Sequence, residues 1–357
     1  MLDLWILTHR RIGDLEQMRS LASALEVPAS EKAIAFHSAR LAVSLPFLSP
    51  WMIDHGRSAA LDPPWPDLVL VAEGALGNIA LEIGRKSGGR TKVVCLGRPR
   101  GRMREFDLII TTPQYRLPPA ANILELKLPL HRLDRHHMEQ AAAALEPKLS
   151  PLPRPWIALL VGGTSAPDVL DSAAAQDLAR KALAYAKESG GSLLVVTSPR
   201  TGRNAEAALA AAVNGKARCS FWSQRGTQNP YPGYLALADR FIVTSDSVSM
   251  ITEAILTQKP VAIYRLPIKY SNWMAFVSKH RNSTHALLRP LIESGIIEAR
   301  PDRAALLEKL RADGMIHDIG EAGADDRPVG NEMAAAVRRI EALLKDRAKS
   351  AREDAPV

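Results

Sequence analysis

The residues best suited to chemistry form one run, Val243-Thr244-Ser245-Asp246-Ser247-Val248-Ser249-Met250-Ile251-Thr252-Glu253. An apolar stretch ends there in small hydroxyl side chains, and a helical pattern starts at once. A helix N-terminus carries unpaired N–H groups and partial positive charge, which suits a phosphate. On a helix, Asp246, Ser249, Met250 and Glu253 fall at i, i+3, i+4 and i+7, so the spacing predicts one shared face. Glu253, two turns in, is placed to accept from a ribose diol. Simple capping by Asp246 or Ser247 explains one such residue but not the set. Two further turns follow apolar runs. Gly162-Gly163-Thr164 lets backbone approach a diphosphate, although two glycines alone read equally as an ordinary tight turn. Ser198-Pro199-Arg200-Thr201 offers a guanidinium to a phosphate, or a solvated surface arginine. Asp14, in Ile12-Gly13-Asp14-Leu15-Glu16-Gln17, is either a helix N-cap or a general base; His9 is the alternative base.

Charge supplies a third feature. The 357-residue chain has net charge +8, and its eight basic residues from Arg85 to Arg104 are interrupted by no acid. Arg98, Arg100 and Arg102 directly follow an apolar run, which fits an anionic acceptor or an anionic membrane surface. The apolar segment Leu45–Met52 reads as core or as a membrane-touching loop. Other chemistries lack their signatures. Two cysteines, Cys95 and Cys219, support neither a disulfide framework nor a thiolate metal cluster. His136 and His137 are adjacent and point apart on a helix, and His280 and His285 miss the i, i+4 spacing. No metal site is expected. Walker, Gly-x-Gly-x-x-Gly and Gly-x-Ser-x-Gly patterns are absent. Aromatic residues are only 5%, so stacking platforms for nucleic acid are not expected. The short N-terminal apolar run is no signal-peptide core, and no stretch approaches 18 uncharged apolar residues. The expected location is cytoplasmic or peripheral on the inner membrane face.

Positioning these turns requires strands with helices between them. Strands are predicted at Leu4–Thr8, Ala33–Phe36, Leu68–Val71, Val93–Leu96, Leu108–Thr111 and Ile123–Leu126. A second set follows at Ile157–Val161, Leu193–Thr197, Phe241–Thr244 and Val261–Tyr264. Continuous Val/Ile/Leu runs suggest buried parallel strands. Helices are predicted from Leu15 to Leu25 and over Ala75–Ser87, Ala173–Glu188, Arg203–Val213, Ser247–Thr257, Ala304–Arg311 and Glu332–Lys349. Pro147, Pro151, Pro153 and Pro155 suggest a linker. The reading is therefore two Rossmann-like domains with parallel sheets facing across a cleft, over 1–150 and 151–330, followed by a C-terminal helix within 331–357.

Several stretches resemble the mitochondrial-fission (elongated-mitochondria) family, whose bacterial members are classed as GT-B-type glycosyltransferases. They are Gly13-Asp14-x-x-Gln17, Phe106-Asp107-Leu108-Ile109-Ile110, Gly162-Gly163 and Ser198-x-Arg200-Thr201. The longest runs from Asn229-Pro230-Tyr231 through Ala238-Asp239 to Thr244-x-Asp246-Ser247-Val248-Ser249-Met250-x-x-Glu253 and closes with Lys259-Pro260-Val261. The chain departs from the family pattern at Glu73-Gly74-Ala75, at Gln114-Tyr115 and at Gln258, where glycine is usual. The resemblance implies a GT-B-like α/β fold, with 1–150 on the acceptor side, 151–330 for nucleotide sugar, and the C-terminal helix within 331–357 packing back on the first domain. It implies a nucleotide-sugar site built from Gly162, Gly163, Thr164, Ser198, Arg200, Thr201, Asn229, Tyr231, Ser245, Asp246, Ser247, Ser249, Met250 and Glu253. Sugar transfer would be metal-independent, need no cofactor and use Asp14 as base. The acceptor would be a lipopolysaccharide-like or phosphorylated glycolipid. Glu253 has Val261 eight residues on and Ser245 eight before, so the glutamate pair of many retaining GT-B enzymes is missing and inversion is expected. A nucleotide-sugar epimerase is set aside for want of a nicotinamide fingerprint. The alternative is a non-catalytic membrane adaptor that recruits a protein partner.

Overall fold

The computed structural model describes residues 2–9, 12–38, 50–74, 76–100, 102–224, 229–269, 301–321 and 330–353. The chain divides into two compact units. The first contains Met1–His131 and Asn331–Val357; the second contains Arg132–Lys279 and Arg303–Gly330.

The first unit is built on β1 (Leu4–Thr8), α1 (Ile12–Ala24), β2 (Ala29–Ala33), β3 (Leu68–Gly74), α2 (Leu76–Lys86), β4 (Lys92–Pro99), β5 (Leu108–Thr111) and β6 (Ile123–Glu125). The six strands are all parallel, in the order β2-β1-β3-β4-β5-β6. Alternate residues supply the two faces, as a period of two requires. Trp5, Leu7, Val69, Val71, Val93 and Cys95 pack with Leu76, Ile79 and Ile83 of α2 on one face. Leu4, Ile6, Leu68, Leu70, Val94 and Leu96 meet Met18 and Leu21 of α1 on the other. That second face is completed by Ala336 and Ile340 of the last helix, Glu332–Glu353. The second strand lies earlier than the apolar run Ala33–Phe36 suggests, because an exposed sheet edge is satisfied by the polar sequence Ala-Ser-Glu-Lys-Ala.

The second unit opens with α3 (Arg135–Leu149), whose N-cap Asp134 accepts from the His137 N–H. It continues through β7 (Trp156–Val161), α4 (Ser172–Glu188), β8 (Ser192–Thr197), α5 (Arg203–Val213), β9 (Arg218–Ser220), α6 (Tyr231–Leu237), β10 (Arg240–Thr244), α7 (Val248–Leu256), β11 (Val261–Tyr264), α8 (Arg303–Ala312) and β12 (His317–Asp318). Its sheet is again fully parallel, in the order β12-β11-β10-β7-β8-β9.

The division falls at Arg132, not in the proline stretch. Helix α3 runs through Pro147, close enough to its C-terminus to need few further backbone bonds, and packs on α6. A Cβ at Gly233 of α6 would lie 2.4 Å from Leu145 Cδ1 and 2.9 Å from the Ala141 carbonyl, so glycine sets how close these helices come. The prolines are anchored to the second unit as well. The Asp239 carboxylate accepts from the Trp156 N–H at 2.7 Å and pairs with Arg154, whose guanidinium lies 3.8 Å above the Trp156 ring.

Candidate functional site

Within the second unit the chain winds outward from β7 through β8 to β9, then returns to the far side of β7 and continues through β10, β11 and β12. The winding direction reverses between β7 and β10. In open α/β sheets the connections diverge at such a point and leave a crevice beyond the carboxyl ends of the strands. Gly162-Gly163 follow β7, and Ser245-Asp246-Ser247 follow β10. The fold therefore places both motifs at the switch point.

Close backbone packing joins the ends of β7, β8 and β10. A Cβ on Gly162 would stand 2.4 Å from Asp246 Oδ2, and one on Gly163 would stand 2.0 Å from the Arg200 carbonyl oxygen. Glycine is required here by contact rather than by torsion. The Gly162 carbonyl accepts from the Ser198 hydroxyl at 2.6 Å and the Thr201 hydroxyl at 2.5 Å. Both side chains are buried. They shape the turn, with their protons spent on backbone. Thr164 is exposed, and its Oγ1 accepts from the Leu170 N–H at 3.1 Å.

Asp246 is only 3% exposed. A buried carboxylate must be compensated. Its Oδ1 accepts from the Thr244 hydroxyl at 2.7 Å and its Oδ2 from the Gly163 N–H at 2.9 Å. Arg200 pairs with Oδ2 at 3.1 Å and remains nearly half exposed. Burial pushes the carboxyl above its ordinary pKa, and the nearby Asp168 charge adds to this. Thr244, Arg200 and the Gly163 N–H oppose the rise. Asp246 thus turns back towards the sheet and does not share a helix face with Ser249, Met250 and Glu253. The reason is that α7 begins only at Val248, two residues later.

Ser245 is also turned inward. Its hydroxyl donates to Asp168 Oδ1 at 3.1 Å and accepts from the Leu266 N–H at 3.0 Å. Arg303, the first residue of α8, forms an ion pair with Asp168 and donates to Ser165 Oγ at 3.3 Å and the Ala166 carbonyl at 3.1 Å. Ser247 occupies the N-cap of α7 but makes no side-chain capping bond. The first turn therefore keeps its field and donors without that competitor. Ser249 is exposed there, and Met250 and Glu253 are half-buried. Glu253 Oε2 accepts from the Tyr231 hydroxyl. Burial, and next the Glu253 charge, hold the Tyr231 phenol well above its ordinary pKa. Asn229 is exposed, and its Oδ1 accepts from the Tyr231 N–H at 3.2 Å.

A comparison with protein families matches the family described as mitochondrial fission ELM1 over residues 12–296. The chain belongs to the mitochondrial fission ELM1 family. The mitochondrial fission protein ELM1 of Arabidopsis thaliana is 26% identical over 211 residues, covering 52% of this chain and 48% of the plant protein. The chain thus spans about half the length of the curated relative it matches. Among solved structures, a Listeria monocytogenes protein assigned as a UDP-N-acetylglucosamine 2-epimerase aligns with TM-score 0.53 at 10% identity, covering 98% of this chain and 97% of that one. UDP-GlcNAc 2-epimerase of Methanocaldococcus jannaschii aligns with TM-score 0.50 at 12% identity, covering 96% and 99%. These likenesses establish the fold: the ELM1-family chain has the GT-B-like architecture of two Rossmann-like domains.

In this ELM1-family chain the first-unit residues divide differently from expectation. The backbone of Asp14 lies inside α1, which starts at Ile12, so Asp14 is not the N-cap; its side chain is outside the described residues. The His9 ring contacts the Ile34 carbonyl at 2.9 Å through Nδ1. Arg98 is not presented to an acceptor. It is 9% exposed and donates to the Tyr115 carbonyl at 2.9 Å, because a cation inside a domain must be satisfied there. Arg100 is half-buried, while Arg102 is exposed, has φ +51° and lies 3.6 Å from Glu105. The basic run is countered by acids just outside it, through Arg85–Glu82 at 2.9 Å and Lys92–Asp107 at 2.9 Å. Leu45–Ser49, His280 and His285 lie outside the described residues, whereas Trp51 is 80% exposed. No group of three or more His, Cys, Asp or Glu able to hold a metal occurs among the described residues. No helix among them is long and apolar enough to cross a membrane. Cys95 is buried, and burial raises the Cys219 thiol to about 11.

Three structurally important residues escaped the sequence reading. Asp168 carries the signal of an acid after a proline in a loop leaving a strand. Arg303 carries none, since it meets Asp168 across 135 positions. Glu206 breaks the apolar face of α5 and is 4% exposed. Burial alone would raise its carboxyl; hydrogen bonds from Ser223, Thr197 and Trp222 hold it below the ordinary glutamate value.

Proposed function

We propose that the second unit binds the diphosphate of a nucleotide sugar and that the protein transfers the sugar to an acceptor hydroxyl. One observation carries this reading: the Gly162-Gly163 turn and the N-terminus of α7, with no capping bond from Ser247, converge on the switch point of one sheet. Phosphates would meet the first-turn N–H groups of Val248, Ser249 and Met250, with Arg200 alongside. The ribose would take the Glu253 carboxylate, whose partner Tyr231 holds it in place. In an inverting displacement, Asp14 takes the acceptor proton as the acceptor oxygen bonds to the anomeric carbon. The bond from that carbon to the phosphate oxygen breaks, and the nucleoside diphosphate leaves with the electron pair. Helix dipole and guanidinium stabilise the leaving charge, so the reaction needs neither metal nor cofactor. The finer reading is an anionic, lipopolysaccharide-like or phosphorylated glycolipid acceptor at the inner membrane face, and it rests on Arg100, Arg102 and exposed Trp51.

The test is a thermal-shift screen against UDP-, GDP-, CMP- and dTDP-sugars, followed by product analysis. A stabilising donor is expected, and Glu253→Ala and Ser249→Ala should abolish its shift. Asp14→Asn should keep the shift and lose transfer. Absence of any shift with wild type contradicts the donor site. Epimerised nucleotide sugar without acceptor would reassign the reaction. Liposome co-sedimentation with no nucleotide-sugar turnover would favour the adaptor.

A further inference from the structure

The loop that links β7 to α4 carries a buried acid, Asp168. Its carboxylate has two consequences. Oδ1 accepts from the Ser245 hydroxyl at 3.1 Å, and that hydroxyl accepts from the Leu266 N–H at 3.0 Å, so Asp168 pins the turn that leads into α7. It also sets a negative charge beside the candidate diphosphate site. The charge is felt there: burial is the main cause that raises the Asp246 carboxyl, and the Asp168 charge adds to it. Uncompensated, the same charge would repel an anion arriving at the first turn of α7.

Arg303 supplies the compensation. It forms an ion pair with Asp168, its Nε donating to Oδ2 at 3.1 Å. The same guanidinium donates to Ser165 Oγ at 3.3 Å, to the Ala166 carbonyl at 3.1 Å and to the Ser165 carbonyl. Helix stability does not account for its place. Arg303 is the first residue of α8, where a cation opposes the helix dipole. The second buried acid of the turn, Asp246, has its own arginine, Arg200. The two arginines differ in exposure. Arg200 is nearly half exposed and can reach a ligand, whereas Arg303 is mostly buried and committed to the loop. We propose that Arg303 is a positioning residue of the nucleotide-sugar site and acts through Asp168. It cancels the carboxylate whose hydrogen bond fixes the Ser245 turn, and so lets that turn receive a diphosphate. The inference rests on the donor-site reading above.

Calorimetric titration of the full chain with UDP, GDP, dTDP and inorganic pyrophosphate tests this, with melting temperatures measured alongside. Wild type should bind at least one probe. Arg303→Met leaves Asp168 charged without its partner and should weaken that binding at least about tenfold. Asp168→Asn removes the charge and keeps an oxygen for the Ser245 hydroxyl, while Arg303 keeps its carbonyl partners. This variant should bind as tightly as wild type or tighter, although the lost ion pair lowers its melting temperature. Combining Asp168→Asn with Arg303→Met should restore affinity to within about threefold of wild type, because the two effects are coupled through one charge. A purely structural role makes affinity follow stability, so both variants carrying Asp168→Asn would bind more weakly than wild type. That result overturns the inference, as does unchanged affinity in Arg303→Met. Should Arg303→Met not fold, the two variants carrying Asp168→Asn still decide. Failure of every probe to bind wild type contradicts the donor site itself, and this inference falls with it.

Discussion

Alanine at Gly163 probes the packing that holds the candidate site together. The added Cβ would stand 2.0 Å from the Arg200 carbonyl oxygen, 2.2 Å from its carbon and 2.6 Å from the Thr201 nitrogen. Real Cβ contacts essentially never fall below 3.0 Å, and 3.0 minus 2.0 leaves 1.0 Å as the smallest shift that relieves the clash. All three atoms are backbone, so no side-chain rotation absorbs it. The displaced segment carries Ser198 and Thr201, whose hydroxyls hold the Gly162 carbonyl, and the Gly163 N–H holds Asp246. Overpacking costs about 1–3 kcal/mol and each of the three lost hydrogen bonds about 1 kcal/mol, so the expected loss is roughly 4–6 kcal/mol. Urea unfolding measures it, and hydrogen exchange should locate faster opening in peptides covering β7 and β8. Gly56→Ala is the control, because its Cβ meets only Asp54 Oδ1 at 3.5 Å; it should stay within about 0.5 kcal/mol of wild type. A Gly163→Ala protein as stable as that control would refute the close approach of β7 and β8.

Other substitutions test separate parts of the account. Glu206→Gln should cost about 1.5–3 kcal/mol at neutral pH, since three donors lose a charged acceptor. The folded carboxyl lies below the ordinary glutamate value of about 4.3. Its stabilisation is therefore present above that pH and lost as pH falls through the folded value, so the variant should show a flatter acid limb in pH-dependent unfolding. Gln258 has φ +61° directly after the α7 C-cap. Gln258→Gly relieves about 1 kcal/mol of left-handed strain, partly offset by unfolded-chain entropy, so a small rise in melting temperature is expected. Arg98→Ala should cost about 1 kcal/mol by removing its hydrogen bond to the Tyr115 carbonyl; unchanged stability with weakened anion binding would restore the acceptor role.

Most of the fold could be read from apolar runs, because parallel strands buried on both faces leave unmistakable Val/Ile/Leu stretches such as Leu68–Val71 and Leu193–Thr197. Helix Arg203–Val213 matches its predicted bounds, since apolar periodicity and turns mark both ends. Edge strands were harder. β2 sits on a polar stretch, and the three-residue β9 and two-residue β12 are too short for a periodicity signal. The proline segment misled because breakers mark chain direction but not which body anchors them. Asp239 reaches Trp156 across 83 positions and ties it to the second unit. The site was legible as a set of loops, since residues after strands at a switch point must face a crevice. Side-chain direction was not legible. Asp246, Ser245, Ser198 and Thr201 turn into the protein because each satisfies a buried backbone group or hydroxyl distant in sequence, while Ser249 stays exposed.

The central claim, a diphosphate site at the switch point of the second sheet, is tested most directly by hydrogen-exchange footprinting with nucleoside diphosphates. Residues 162–165 and 247–253 should exchange more slowly on adding the preferred nucleotide, and Ser249→Ala should weaken that protection. No protection with any of UDP, GDP or dTDP, or protection confined to residues 1–131, would contradict it.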